Sequence, residues 1–160
     1  EDSGLAENSV DLVTVGQAFH WFDETLFLDE VRRVLRPSGV IAVWCYQLST
    51  VNERCDRIVA YLYGELVDEY WPPDREKDAA GYPGLIQPGT PVKAPPFKLQ
   101  QRWCVEDMLG YLRTWSACKR FMVKRGSDPV AEIEPELRAE WGHESRDVQW
   151  PLQLRVSRVH

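Results

Sequence analysis

The chain is predicted to fold as an α/β domain built on a parallel strand pair, with an antiparallel strand near its carboxyl end. Three observations predict this. Residues 10–16 (VDLVTVG) and 40–46 (VIAVWCY) are apolar, β-branched runs without polar alternation, the pattern of strands buried on both faces. Between them, Phe27, Leu28, Val31, Val34 and Leu35 recur at helical spacing. Near the end, Val148, Trp150, Leu152, Leu154 and Val156 alternate with Gln149, Pro151, Gln153, Arg155 and Ser157, as in a half-buried strand. The strand–helix–strand unit implies parallel pairing with a right-handed crossover. The different period of the last strand marks it as antiparallel and closing the sheet.

The first helix starts at Asp23, a good N-cap. Asp29 and Arg33 stand one turn apart, and Arg32, Arg33 and Arg36 crowd a solvated last turn before Pro37 and Gly39 end the helix. Thr50 and Glu53 have the spacing of a capping box. The helix that follows carries Ile58, Val59, Leu62, Leu66 and Val67 and is expected to reach Tyr70 before Pro72 and Pro73. Residues 71–96 hold seven of the eleven prolines and three glycines, and are expected to form a binding loop or lid. Residues 97–105 read as a strand with Phe97, Leu99 and Trp103 on one side, and 106–112 and 116–124 as short helices. Asp128 and Pro129 start a helix with the stripe Val130, Ile133, Leu137 and Trp141, closed by Gly142. Pro135 is expected to kink or divide it.

Composition narrows the function classes. At 160 residues and 44% apolar, the chain suits one domain, or a large piece of one, with a packed core. A net charge of −6 argues against a nucleic-acid surface, and no apolar run is long enough to span a membrane. The first residue is Glu1 rather than Met, as in a processed or partial chain. Cys45, Cys55, Cys104 and Cys118 form no CxxC pair and no zinc spacing with the three histidines, so reduced thiols, no metal site and a cytoplasmic location are expected. Most of the seven tryptophans should be core, with some lining a pocket.

In an open α/β sheet, ligands bind beyond the carboxyl ends of the parallel strands. Residues 16–22 (GQAFHWF) lie at one such end and 46–50 at its neighbour, so the His-Trp-Phe set is placed to touch a ligand. Here the stretch ENSVDLVTVGQAFHWFD, continued by FLDEVRRVLRPSGVIAVWCY, resembles the class I S-adenosylmethionine (SAM)-dependent methyltransferases. Within them it is most similar to the trans-aconitate-methyltransferase-like, methyltransferase type 11-like branch, whose fourth strand ends in Q-A-x-H-W-F. GYLRTWS (110–116), the helix start at Asp128, Pro129 and Val130, and VQWPLQLRV (148–156) are similar to the same branch.

The resemblance implies a three-layer, Rossmann-like sheet of order 3-2-1-4-5-7-6. Residues 10–16, 40–46, 97–105 and 148–158 would be strands 4, 5, 6 and 7, the last antiparallel. The family's acidic-x-Gly-x-Gly loop after strand 1 and the acidic residue after strand 2 have no counterpart here. Residues 1–160 are therefore expected to be the C-terminal portion of one methyltransferase domain lacking roughly 100 residues. Alone they are expected to be inactive and not to bind the cofactor with micromolar affinity.

By the same resemblance, Gly16, Gln17 and Ala18 would pass the methionine end of SAM, Trp21 would wall its sulfonium, and Glu1 and Asp2 would lie beside the adenine. His20 would be the catalytic residue, orienting or deprotonating the acceptor. His20, Tyr46, Trp115 and Ser116 would bind that acceptor, a small molecule whose identity no charge pattern names. Plainer roles stand beside these: turn packing for His20, core packing for Trp21, Phe22 and Trp115, an N-cap for Ser116, terminal disorder for Glu1 and Asp2, and a surface position for His143. The alternative function is a non-catalytic α/β module for folding or self-association, with the open edge of residues 10–16 pairing with a second copy as a homodimer. A nicotinamide dehydrogenase fragment is disfavoured by the antiparallel last strand and the missing glycine fingerprint.

Overall fold

A computed structural model describes residues 1–73, 81, 82, 85 and 88–160. The chain forms two compact units: Glu1–Gln47 with Asp74–Lys98 and Pro151–His160, and Leu48–Pro73 with Leu99–Trp150.

In the first unit, β1 (Val10–Gly16) and β2 (Leu35–Tyr46) run parallel, in register from Leu12 opposite Val40 to Gly16 opposite Trp44. On the other side of β2 lies β5 (Arg146–Arg158), antiparallel, with Val40 opposite Arg158 and Tyr46 opposite Leu152. The expected parallel pair and antiparallel closing strand are thus present. A short strand, β3 (Thr90–Val92), pairs with the end of β5, and β4 (Phe97–Trp103) also pairs with β5. The sequence reading did not anticipate β3. It is reached through Gly89, where a Cβ would sit 2.0 Å from the Arg158 carbonyl oxygen, so only glycine allows this approach.

Helix α1 (Glu24–Val34) begins as expected at Asp23, whose carboxylate accepts the Leu26 N–H at 3.0 Å. Its apolar stripe, Phe27, Leu28 and Val31, packs with Val15 of β1 and Ile41, Val43 and Cys45 of β2. Leu12, Thr14 and Gly16, on the opposite face of β1, are exposed, Leu12 by 55%. Among the described residues β1 is therefore covered on one face and lies at the sheet edge, which corrects the reading of a strand buried on both faces. Its apolar outward residues had hidden the difference.

The arginines at the end of α1 are not merely solvated. Arg33 forks onto Glu30 with two bonds of 2.7 Å, Arg32 pairs with Asp29, and Arg36 pairs with Asp11. Glu30 also accepts from the Ser3 hydroxyl and N–H. Its carboxyl is held far below the usual range, first by the Arg33 guanidinium. The strand after α1 starts at Leu35, and its register with β1 shifts between Leu35 and Val40, where Ser38 at φ 69 follows Pro37. Tyr82 and Leu85, from the proline-rich segment, are buried in the core of this unit. The expected binding loop or lid falls largely on residues 74–80, 83, 84, 86 and 87, outside the described residues. The alternation of β5 holds at Val148 and Trp150. It fades beyond Pro151, where Gly81 lies against Gln153 and its carbonyl accepts from Arg155 at 2.9 Å.

In the second unit, α2 (Glu53–Tyr61) is capped by Asn52, which accepts the N–H groups of Arg54 and Cys55 at 3.0 and 2.9 Å. Thr50 instead forms a backbone bridge with Gln149. The single helix expected to reach Tyr70 is broken into a π turn at Leu62–Leu66 and a 3-10 turn at Asp68–Tyr70. Helices α3 (Val105–Thr114), α4 (Ser116–Arg125) and α5 (Val130–Trp141) follow. Asp128 accepts the Val130 N–H, and Gly142 closes α5 at φ 75. Pro135 does not divide α5, because Val130, Ile133, Leu137 and Trp141 are all buried and hold both halves to one core. Among the described residues no helix is long and apolar enough to cross a membrane.

An ion-pair chain ties α3 to α5. Arg138 bonds to Glu134 and Glu106, and Arg113 bonds to Glu134 and Asp128. Arg138 is the main cause holding the carboxyls of Glu106 and Glu134 below their ordinary value of 4.5. A carboxyl whose folded pKa lies below its unfolded one stabilises the fold above the unfolded value, and that contribution is lost as pH falls through the folded value. The urea midpoint should therefore fall as pH is lowered from about 5 to about 3, and Arg138→Met should flatten that fall. Parallel pH profiles for the two proteins would show that these pairs do not couple to folding.

Candidate active site

The site is built where the parallel pair ends. At Gly16 the Trp44 indole lies across the position a side chain would take: a Cβ there would meet indole atoms at 2.8 to 3.0 Å. Gln17 leaves the strand at φ 51. Its N–H donates to the Trp44 carbonyl at 2.8 Å, and its side-chain Oε1 accepts the Tyr46 N–H at 2.9 Å. The chain then makes a 3-10 turn over Phe19–Trp21, in which the Ala18 and Phe19 carbonyls accept the N–H groups of Trp21 and Phe22, each at 3.1 Å.

Phe19 anchors this turn. It is buried, edge-on to Phe27 at 5.7 Å and to Tyr82 at 5.1 Å. With Phe19 inward, the next two side chains are presented outward. His20 is half-buried, its ring 4.6 Å from that of Trp21, and Trp21 is 72% exposed. Phe22 stacks on Phe27 at 4.6 Å, so its role is packing. Tyr46, at the end of β2, is 37% exposed. The structure thus brings Gly16, Gln17, Ala18 and Tyr46 together at adjoining strand ends, with His20 and Trp21 on the turn that follows. Glu1 is not loose: its carboxylate accepts the Asp23 N–H at 2.7 Å, joining the chain start to the cap of α1. Asp2 is exposed and accepts the Gly4 N–H.

Trp115 and Ser116 belong to the second unit. Trp115 is half-buried among Tyr63, Trp71 and Tyr111, at 5.6, 5.6 and 5.9 Å between ring centroids. Ser116 is exposed and is the first residue of α4, whose N-cap is Trp115; it is not the cap itself. That unit also holds a cleft of about 320 Å³ between α2 and α5 and a wider one of about 800 Å³ beside Tyr70 and Phe121. Neither contains a residue proposed for catalysis from the sequence. Burial pushes the Cys55 thiol up and that of Cys118 up to about 11, so both stay protonated and inert at neutral pH. Among the described residues no His, Cys, Asp and Glu group is arranged to hold a metal ion.

Two contributors escaped the sequence reading. Phe19 was passed over beside the more conspicuous His-Trp-Phe set. Trp44 reads from the sequence as a strand residue, and only its register opposite Gly16 in the fold gives it a part here.

The family profile for the methyltransferase domain matches residues 1–43, which include the whole turn. A Dictyostelium discoideum protein named "Putative methyltransferase" is 31% identical over 140 residues, 86% of this chain and 53% of its own length. A Schizosaccharomyces pombe protein named "Uncharacterized methyltransferase" is 30% identical over 133 residues, 81% of this chain and 50% of its own. The chain spans about half the length of these curated relatives. The solved structure of a "Putative Type II Methyltransferase from Anaeromyxobacter dehalogenans" superimposes with a TM-score of 0.91 at 42% identity, covering 99% of this chain and 69% of that one. The fold and these relatives thus place the chain among the methyltransferases. The chain belongs to the class I SAM-dependent methyltransferase family.

The contact between Gly16 and Trp44 generates a prediction. Gly16→Ala should destabilise the protein by about 1–3 kcal/mol through overpacking and shift the Trp44 fluorescence. The double variant Gly16→Ala with Trp44→Phe should recover most of that loss. Equal stability of Gly16→Ala and the parent in urea denaturation would show that the indole moves aside at no cost.

Proposed function

We propose that this chain contributes the His20–Trp21 rim of a site that transfers a methyl group from SAM to a small-molecule acceptor. The observation that carries the reading is the turn itself. A buried Phe19 holds the imidazole and indole outward where β1 ends, beside the end of β2.

The chemistry of the residues present fits part of the cofactor. The exposed Trp21 face suits a sulfonium cation. Glu1 and Asp2 supply carboxylate oxygens for the adenine amine. Gly16, Gln17 and Ala18 offer backbone groups and shape at the strand end. When bound, SAM supplies an electrophilic methyl group. His20 orients the acceptor by hydrogen bonding, or takes its proton where the acceptor is a hydroxyl. A carboxylate acceptor needs no base, and alignment in a water-poor cleft then supplies most of the rate. Tyr46 lines the acceptor side. Trp115 and Ser116 remain acceptor-contact proposals on the second unit.

The net charge of −6 supports a small acceptor over a nucleic acid. A second reading, self-association, is favoured by one observation. Strand β1 ends the sheet order with Leu12 exposed, and an open edge pairs readily with another copy. Light scattering separates the two readings: a dimer abolished by Leu12→Lys supports self-association, and a monomer at all concentrations rejects it.

The catalytic reading is tested on the chain expressed with any coding sequence that adjoins it. His20→Ala should lower kcat for methyl transfer by about a hundredfold or more for a hydroxyl acceptor. Trp21→Ala should weaken S-adenosylhomocysteine binding about tenfold by calorimetry. Full activity in His20→Ala together with unchanged binding in Trp21→Ala would falsify the assignment of this rim.

A further inference from the structure

We infer that Gln17 is a positioning residue, whose carboxamide clamps the ends of β1 and β2 and so sets the distance of the His20 turn from Tyr46. In a parallel ladder, Trp44 bonds to the β1 residues on either side of its partner, Val15 and Gln17, and the Tyr46 N–H then bonds to the backbone carbonyl of that same Gln17. The first part is seen: the Gln17 N–H donates to the Trp44 carbonyl at 2.8 Å. The Tyr46 N–H is met by Gln17 Oε1, at 2.9 Å, while the chain turns away at φ 51. A side chain thus makes a rung of the ladder while the backbone is released to build the turn.

The residue type follows from this geometry. The left-handed region is costly for a residue with a side chain, so a glycine would be favoured there on backbone grounds alone. Glycine has no oxygen to offer Tyr46, and asparagine is one methylene shorter. Glutamine accepts the backbone cost and supplies the rung. Its carboxamide oxygen thereby accepts from Tyr46.

The catalytic part of this inference rests on the methyl-transfer reading above, and the experiment separates the two. Gln17→Met keeps the length and removes the acceptor; Gln17→Glu keeps an accepting oxygen. In Gln17→Met the Tyr46 amide should exchange with solvent about tenfold faster, read by NMR, because its partner is gone. In the same variant kcat should fall about tenfold with the unfolding midpoint nearly unchanged, as misplacement rather than unfolding requires. Gln17→Glu should restore both. Unchanged Tyr46 exchange in Gln17→Met, or a loss of activity that Gln17→Glu does not restore, overturns the inference. Absence of methyl transfer by the parent protein would instead sink the catalytic reading and this residue's part in it, while the Tyr46 exchange would still report whether the clamp exists.

Discussion

The parallel register of β1 and β2 is the constraint on which the proposed rim depends. Gly16 lies opposite Trp44, and one residue later the chain must leave the sheet while Tyr46 continues β2. A slip of one residue would turn every side chain of β1 to the other face. Val15 would leave the core beneath α1, and the position opposite Trp44 would no longer be the one residue without a Cβ. The register is therefore held twice, by Val15 packing with Val43 and Ile41 on the inner face and by the indole over Gly16 on the outer one. The turn inherits that definition, because Gln17 bonds to both Trp44 and Tyr46.

The same constraint explains why the turn exposes what it does. A 3-10 segment of three residues cannot bury all of Phe19, His20 and Trp21 against one surface, since successive side chains point about a third of a turn apart. One of the three must face the core. Phe19 does so, with aromatic partners from α1 and from the proline-rich segment at Tyr82. His20 and Trp21 are then outward by geometry. Trp21 presents its ring outward, 72% exposed, whereas Phe22 stacks on Phe27, so Trp21 is the better candidate for ligand contact.

Much of this was legible in the sequence, and the reasons are local. The β-branched runs at 10–16 and 40–46, the apolar stripe of α1 and the Asp23 cap are decided by neighbours within a few residues, so periodicity finds them. So are the start of α5 at Asp128 and its end at Gly142. What failed was decided by distant partners. Thr50 has capping-box spacing, yet its backbone is taken by Gln149, ninety-nine residues away, and Asn52 caps α2 instead. The exposed outer face of β1 could not be inferred from residues as apolar as Leu12. The proline in α5 is tolerated because four buried side chains straddle it. The candidate site showed the same division: the His-Trp pair is visible in the sequence, whereas Phe19, Trp44 and the Gln17 rung acquire meaning only from contacts across the fold.

The chemistry available fits a reaction that asks little of the protein. The thiols of Cys55 and Cys118 are kept protonated by burial, and the strongest charges are paired in ion networks at α1 and between α3 and α5. Among the described residues, an imidazole, an indole and a phenol stand at the strand ends of the first unit, at His20, Trp21 and Tyr46. No strong nucleophile belongs to that set. When the transferred group arrives already activated, the rate depends on holding donor and acceptor in line, and small displacements at the site then matter more than the strength of any base. A fold that spends a glutamine in the left-handed region to keep two strand ends in register is consistent with that demand. Phe19 below the turn and Gln17 at its start are the contacts through which the fold fixes where that turn lies.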